Sequence, residues 1–321
     1  MNKNIKVYIV GHKGLVGSAI VRRLKKAGYN NLIYKTHKEL DLINQQVVKD
    51  FFCKERPEWV FLAAAKVGGI MANIKNPSEF LYENLMIECN IINSAYKYGI
   101  EKLLFLGSSC IYPRECSQPM KEEYLLNGKL EPTNEGYGLA KIAGLKLCEY
   151  YDKQYNRNFI SLVPSNVYGI GDNFNLNNSH VIAALIGRFH KAKVKKLSTI
   201  KIWGTGKAKR EFLYVDDLAD ACLYFMQNYN SEELPPFINI GTGKDVSIKK
   251  LAELISDIEG FKGEIVWDIS KPDGMPRKVV DTAVAYKLGW QAKTSLEEGV
   301  KRTYMWFLKN INKEKNLGNL E

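Results

Sequence analysis

The chain has 321 residues, 45% hydrophobic and 25% charged, enough for one large domain or two modest ones around a real core, and this excludes a disordered, collagen-like or disulfide-scaffold chain. Its 46 Lys and Arg against 35 Asp and Glu leave a net charge of +11, compatible with nucleic acid, an anionic membrane surface or phosphorylated small molecules. The densest basic run, residues 191–196, carries no interleaved aromatics, and no helix-turn-helix or RNA-binding signature occurs, so nucleic acid is not an expected partner.

The apolar run at residues 60–65 is far below the roughly 20 residues that cross a bilayer. The first four residues lead straight into a strand-like segment, so a cytosolic chain without a membrane partner is expected. Cys53, Cys89, Cys110, Cys116, Cys148 and Cys222 show no paired spacing and read as reduced thiols, neither a disulfide framework nor a zinc site, and no metal is expected.

In chain order, residues 7–10 read as a buried strand and 15–27 as a helix. Between them Gly11-His12-Lys13-Gly14-Leu15-Val16-Gly17 lets the backbone approach a pyrophosphate and aims the helix N-terminus at it. Strand 31–34 follows. An acid at its end would bind the adenosine ribose of NAD, but Tyr34-Lys35-Thr36-His37-Lys38 offers none before Glu39. With Lys13 in the loop and His37 nearby, a 2′-phosphate is expected, hence NADPH/NADP+. A helix at 44–54, strand 59–64, helix 79–98, strand 103–107, helix 137–155 and strand 159–163 continue the alternation. The strands are apolar enough to be covered on both faces, which predicts an α/β fold with a Rossmann-type doubly wound parallel sheet.

Ser108 and Cys110 lie just beyond the strand at 103–107, and Tyr137 and Lys141 share a helical face through their spacing of four. An ammonium beside a phenol stabilises tyrosinate and lowers its pKa, while a serine hydroxyl polarises the carbonyl being reduced. The three residues together describe a proton-donating unit for hydride chemistry. From about residue 170 the rhythm loosens, with helices expected at 181–192, 216–228, 247–259 and 296–308. Residues 1–170 are therefore assigned to a cofactor-binding domain. Residues 171–321 are assigned mainly to a smaller C-terminal substrate-binding lobe, with some segments returning to the first domain and a frayed end over 313–321.

With these motifs in view the chain resembles the extended short-chain dehydrogenase/reductase family along nearly its whole length. The distinctive stretches are 63–69 (AAAKVGG), 107–113 (GSSCIYP), 131–134 (EPTN), 140–144 (AKIAG), 172–174 (DNF), 178–181 (NSHV), 210–213 (REFL) and 271–274 (KPDG). The resemblance is strongest to the branch that epimerises GDP-4-keto-6-deoxy-D-mannose at C3 and C5 and reduces it at C4 with NADPH. It implies that Ala64 and Ala65 line the cofactor and that Cys110 and His180 are the epimerising base and acid. It further implies that Asn166, Arg188, Trp203, Arg210 and Lys271 receive the GDP-sugar, and that helices 79–98 and 137–155 pair two copies into a homodimer. Three departures bear on the sugar side. Gly136-Tyr137-Gly138 replaces a frequent Pro-Tyr-Ala and is expected to loosen the turn before the tyrosine, Gly169-Ile170-Gly171 lacks a usual proline, and the loop 173–178 lacks a usual His-Pro. Two further readings stay open: a C4 reductase without epimerase activity, acting on a related sugar such as a heptose for bacterial surface polysaccharide, and a non-catalytic nucleotide-binding regulator.

Overall fold

In the computed structural model, which describes residues 2–175, 179–270 and 274–311, β1 (Val7–Val10) is buried throughout. Val7 and Ile9 join one apolar cluster and Tyr8 and Val10 another, as a strand covered on both faces requires. The chain continues through α1 (Leu15–Lys26), β2 (Leu32–Ile33), α2 (Gln45–Glu55), β3 (Trp59–Leu62), α3 (Ile70–Lys75), α4 (Pro77–Lys97), β4 (Lys102–Leu106), α5 (Glu135–Tyr155), β5 (Phe159–Pro164) and β6 (Asn166–Tyr168). It then runs through α6 (Val181–Val194), β7 (Thr199–Trp203), β8 (Lys209–Tyr214), α7 (Val215–Asn228), β9 (Ile238–Ile240) and β10 (Asp245–Ser247). α8 (Ile248–Glu259), β11 (Glu264–Asp268), β12 (Arg277–Lys278), α9 (Ala283–Lys287) and α10 (Leu296–Asn310) complete it.

Six parallel strands form the central sheet in the order β2-β1-β3-β4-β5-β9. α1 and α7 cover one face, and α2, α4 and α5 cover the other, giving the doubly wound α/β architecture. The chain reverses direction across the sheet at β1, which has β2 on one side and β3 on the other. The crevice beyond the carboxyl ends of these strands is where such sheets receive ligands.

Four strands differ from expectation at their ends: β3 stops at Leu62, two residues short, β5 runs one residue further to Pro164, and β2 and β4 differ for physical reasons. β2 is only two residues long and half-buried, because an edge strand needs cover on one face alone. β4 begins one residue early, at buried Lys102, whose ammonium donates to the carbonyls of Met226 (3.0 Å) and Tyr229 (2.7 Å). The charge is tolerated there because the end of α7 supplies acceptors in place of water.

In the second half β9 and α7 belong to the central sheet, while β8 organises a separate patch by pairing with β6, β10 and β12. α6, α8 and α10 pack on it around Ile186, Phe189, Leu251 and Phe307. Among the described residues no helix is long and apolar enough to cross a membrane. The end over 313–321 lies outside the described residues.

Candidate functional site

The three glycines between β1 and α1 are small for different reasons. Gly11 has φ +86°, and a Cβ there would lie 2.8 Å from the Ala64 backbone nitrogen, so this turn packs directly on the residues following β3. A Cβ on Gly17 would meet the Gly11 carbonyl at 2.1 Å. At Gly14 it would touch only the Gly11 carbonyl, at 3.4 Å. Packing within the protein therefore does not demand glycine at Gly14; the bare backbone leaves a hollow before α1. No side chain caps that helix and no acid stands in its first turn, so its amides and dipole are free to meet a pyrophosphate. This cradle fits a dinucleotide.

At the ribose end the His12 and Tyr34 rings lie 5.1 Å apart, and burial holds the imidazole below its ordinary range. Glu39, the acid nearest β2, accepts from Thr36 N (2.8 Å) and Thr36 Oγ1 (2.6 Å), and these bonds hold its carboxyl below the ordinary range. Lys35 and Lys13 also act on that carboxylate. His37 and Lys38 are exposed on the same turn.

β4 ends at Leu106, and the chain turns so that Ser108 caps a short 3-10 turn, its Oγ accepting from Cys110 N at 3.2 Å. Tyr137 lies in the first turn of α5, and the Ser108 side chain acts on its phenol. The glycines flanking it do not loosen this region. A Cβ on Gly136 would lie 2.8 Å from the Pro77 carbonyl and one on Gly138 2.8 Å from the Cys110 carbonyl, so they admit close neighbours on two sides. Burial pushes the Tyr137 phenol well up, Cys110 and Glu88 add to this, and the Ser108 side chain opposes it. Lys141 is the group expected to oppose this rise. The ammonium lies 5.8 Å from the tyrosine ring centroid and is paired with buried Glu88 Oε1 at 3.0 Å.

Cys110 is half-buried, and its Sγ receives Asn134 Nδ2 and Lys278 Nζ, each at 3.3 Å. His180 stands at the N-cap of α6. Its side chain is exposed, while the protein around it holds the imidazole below its ordinary range. The preceding Ser179 carbonyl lies 3.7 Å from where a Gly69 Cβ would be, so this end of the lobe abuts the loop after β3.

Of the residues expected to receive substrate, Arg188 lies over the Trp203 ring at 5.6 Å, and Trp203 is 53% exposed, too open for core packing. Arg210 Nη1 donates to Lys209 O at 2.8 Å, and its Nη2 faces Gly274. Glu211 is not its ion-pair partner: that carboxylate accepts from the amides of Gly243 (2.7 Å), Val280 (2.8 Å) and Thr242. Asp216 pairs with Arg22. Asn166 Nδ2 donates to Glu211 O at 2.7 Å, which ties β6 to β8. Lys271 lies outside the described residues.

Sequence reasoning missed Glu88, Asn134 and Lys278 as site residues. Glu88 left a signal: the buried stripe of α4 runs through Phe80, Asn84, Glu88, Ile91 and Ala95, so an acid occupies an otherwise inward-facing helical position. Lys278 left none, because its position beside Cys110 depends on contacts across 168 residues.

The family model described as NAD dependent epimerase/dehydratase family matches residues 7–241. GDP-L-fucose synthase 1 of Arabidopsis thaliana is 52% identical over 310 residues, covering 97% of this chain and 95% of that protein. Among solved structures, a GDP-6-OMe-4-keto-L-xylo-heptose reductase from C. jejuni superposes with TM-score 0.93 at 42% identity, covering 97% of this chain and 99% of its own. A GDP-L-fucose synthetase from Naegleria fowleri bound to NADP gives 0.89 at 31%, covering 97% and 95%. With a family model matched over residues 7–241 and these similarities along nearly its full length, the chain belongs to the NAD dependent epimerase/dehydratase family.

Proposed function

We propose that this protein is an NADPH-dependent epimerase and reductase of the GDP-L-fucose synthase type, converting GDP-4-keto-6-deoxy-D-mannose to GDP-L-fucose. The observation that carries the reading is the turn bearing Ser108 and Cys110. It sets a hydroxyl that acts on the Tyr137 phenol and a thiol held by Asn134 and Lys278 two residues apart. The substrate asks for the same proximity, because its C4 ketone acidifies the protons on the adjoining C3 and C5.

Epimerisation needs a base on one face of the sugar and an acid on the other. Cys110, as thiolate beside the Lys278 ammonium, removes the C3 or C5 proton, leaving an enolate delocalised onto the C4 oxygen. His180 returns a proton to the opposite face. Burial disfavours its charged form, which the substrate's diphosphate and the enolate offset by favouring the imidazolium.

Bound NADPH supplies the hydride for C4. Ser108 polarises the carbonyl, Tyr137 delivers its hydroxyl proton to the C4 oxygen, and Lys141 steadies the resulting tyrosinate. Lys13, Lys35 and His37 favour the 2′-phosphate, with Glu39 tied back to Thr36. Gly11, His12, Gly14, Leu15, Val16 and Gly17 hold the pyrophosphate, with Ala64 and Ala65 beside them. Arg188 and Arg210 meet the diphosphate, Trp203 the base, and Asn166 and Lys271 complete the substrate lining. The protein acts in the cytoplasm, without nucleic acid or membrane as partner, as a homodimer through α4 and α5. The exposed Tyr82, Leu139 and Tyr150 of these helices suit burial against a second copy.

Incubation with GDP-4-keto-6-deoxy-mannose and NADPH in D₂O tests the reading, with NMR of the product. Deuterium at both C3 and C5 of an L-galacto product is expected. Reduction without deuterium, or turnover of a 4-keto-heptose counterpart alone, would replace it with the C4-reductase reading that the similarity to the C. jejuni structure favours.

A further inference from the structure

The mechanism leaves Glu88 unused, although it is among the most deeply placed charges of the protein. It sits on α4 facing α5, 1% exposed, with Lys141 Nζ 3.0 Å from Oε1 and both side chains closed to solvent. The contact is an ion pair without hydrogen-bond geometry, and neither carboxylate oxygen accepts a hydrogen bond among the described residues. The surrounding packing makes room for the pair. A Cβ on Gly144 would lie 2.7 Å from Glu88 Oε2 and 2.4 Å from the Phe105 ring, so glycine at that position of α5 admits the carboxylate. The Lys141 ammonium also lies 4.8 Å from the Phe105 ring centroid, a second contact that suits a cation.

We infer that Glu88 is a positioning residue for the reduction. Its carboxylate keeps the Lys141 ammonium charged and fixed beneath Tyr137, and so sets the pH range over which the tyrosine works. The inference rests on the reductase reading above. A buried ammonium deprived of its counter-charge sheds its proton rather than remain charged in a medium that solvates it poorly. The other titratable groups that act on this pair are Tyr137 and Cys148 from α5 and Cys89 beside Glu88 on α4, with Cys110 bearing on Tyr137 from the 3-10 turn. None of them is a carboxylate that could take over from Glu88.

The test compares wild type, Glu88→Gln and Glu88→Asp in two measurements. The first is kcat and KM for reduction of GDP-4-keto-6-deoxy-mannose across pH. The second is ¹⁵Nζ NMR of labelled lysine, with the Lys141 signal assigned by its loss in Lys141→Met. Glu88→Gln is expected to lower kcat at least tenfold, with KM changed less than threefold. The alkaline limb of its rate profile should move to lower pH, and the Lys141 signal should titrate earlier than in wild type. Glu88→Asp should recover part of each effect. A folded Glu88→Gln protein with the wild-type rate profile and lysine titration would show that Glu88 only packs. Should that variant fail to fold, Glu88→Asp decides, since an unchanged titration in the shortened side chain equally overturns the inference. Absence of turnover in wild type would remove the reductase reading, while the lysine titration still answers for Glu88.

Discussion

Two proposed proton-handling centres flank the same 3-10 turn, and they are assembled differently. Ser108, Tyr137 and Lys141, with Glu88 behind them, come from the end of β4 and from α4 and α5, all within the doubly wound half. The thiol centre instead joins Cys110 and Asn134 of that half to Lys278, which β12 presents through its pairing with β8, where Lys278 lies opposite Arg210. Its proposed acid, His180, begins α6 of the lobe. The contrast teaches that the reducing centre depends on one helix pair packed on the sheet. The thiol centre is completed by a residue that the β8 patch supplies.

The largest effect that could break this contrast concerns the reducing centre. Tyr137→Phe keeps the ring and removes the proton donor, so reduction should fall at least ~100-fold, the usual range for a general acid, with little change in Tm. Normal reduction by a folded variant would mean that Tyr137 merely packs. Next comes the thiol centre: Cys110→Ser and Lys278→Met should each lose most deuterium exchange at C3 and C5, on the order of tenfold or more, while reduction of an already epimerised ketone falls less. Equal losses of both activities would merge the two centres into one.

The cofactor end should discriminate more modestly. A charge-assisted contact to the 2′-phosphate contributes about 1.5–3 kcal/mol, so NADPH should exceed NADH by more than about tenfold in kcat/KM, and Lys13→Glu should narrow the ratio. Equal efficiency with the two cofactors in wild type would remove the role given to Lys13 and Lys35.

The smallest effect sharpens the comparison at the junction of the two halves. Asp172 lies beside Gly171, whose Cβ would approach Ser18 of α1, and two residues before Phe174 of the lobe core. Its Oδ1 accepts from Asn173 N at 2.8 Å, its Oδ2 has no partner among the described residues, and burial pushes the carboxyl up to about 7. The folded state therefore holds a proton that the unfolded chain gives up near pH 4. The stabilisation is complete below that point and is lost as pH rises through about 7. Asp172→Asn should remain closer to its low-pH Tm than wild type between pH 5 and 8, by on the order of a few degrees. Parallel Tm curves for the two proteins would count against this.

Local periodicity made the doubly wound half legible. β1 and the start of α1 fall where the apolar pattern and glycines put them, because a buried strand and an amphipathic helix write their periods into neighbouring residues. Tyr137 and Lys141 were visible for the same reason, being one helical turn apart. The strands of the lobe were not: β6, β10 and β12 are two or three residues long, too short to show alternation, and β8 becomes the centre of its patch only through partners distant in the chain.

The sequence by itself determined the alternation of strand and helix, the glycine turn and the choice of candidate site residues. Which charges meet them was decided by tertiary structure alone. Glu88 reaches Lys141 because α4 packs along α5, and Lys278 reaches Cys110 because β12 pairs with β8. Residues within a few positions are held together by the geometry of one element. Contacts across 53 and 168 residues depend on sheet order and on which helix faces are buried together, and no local pattern encodes either.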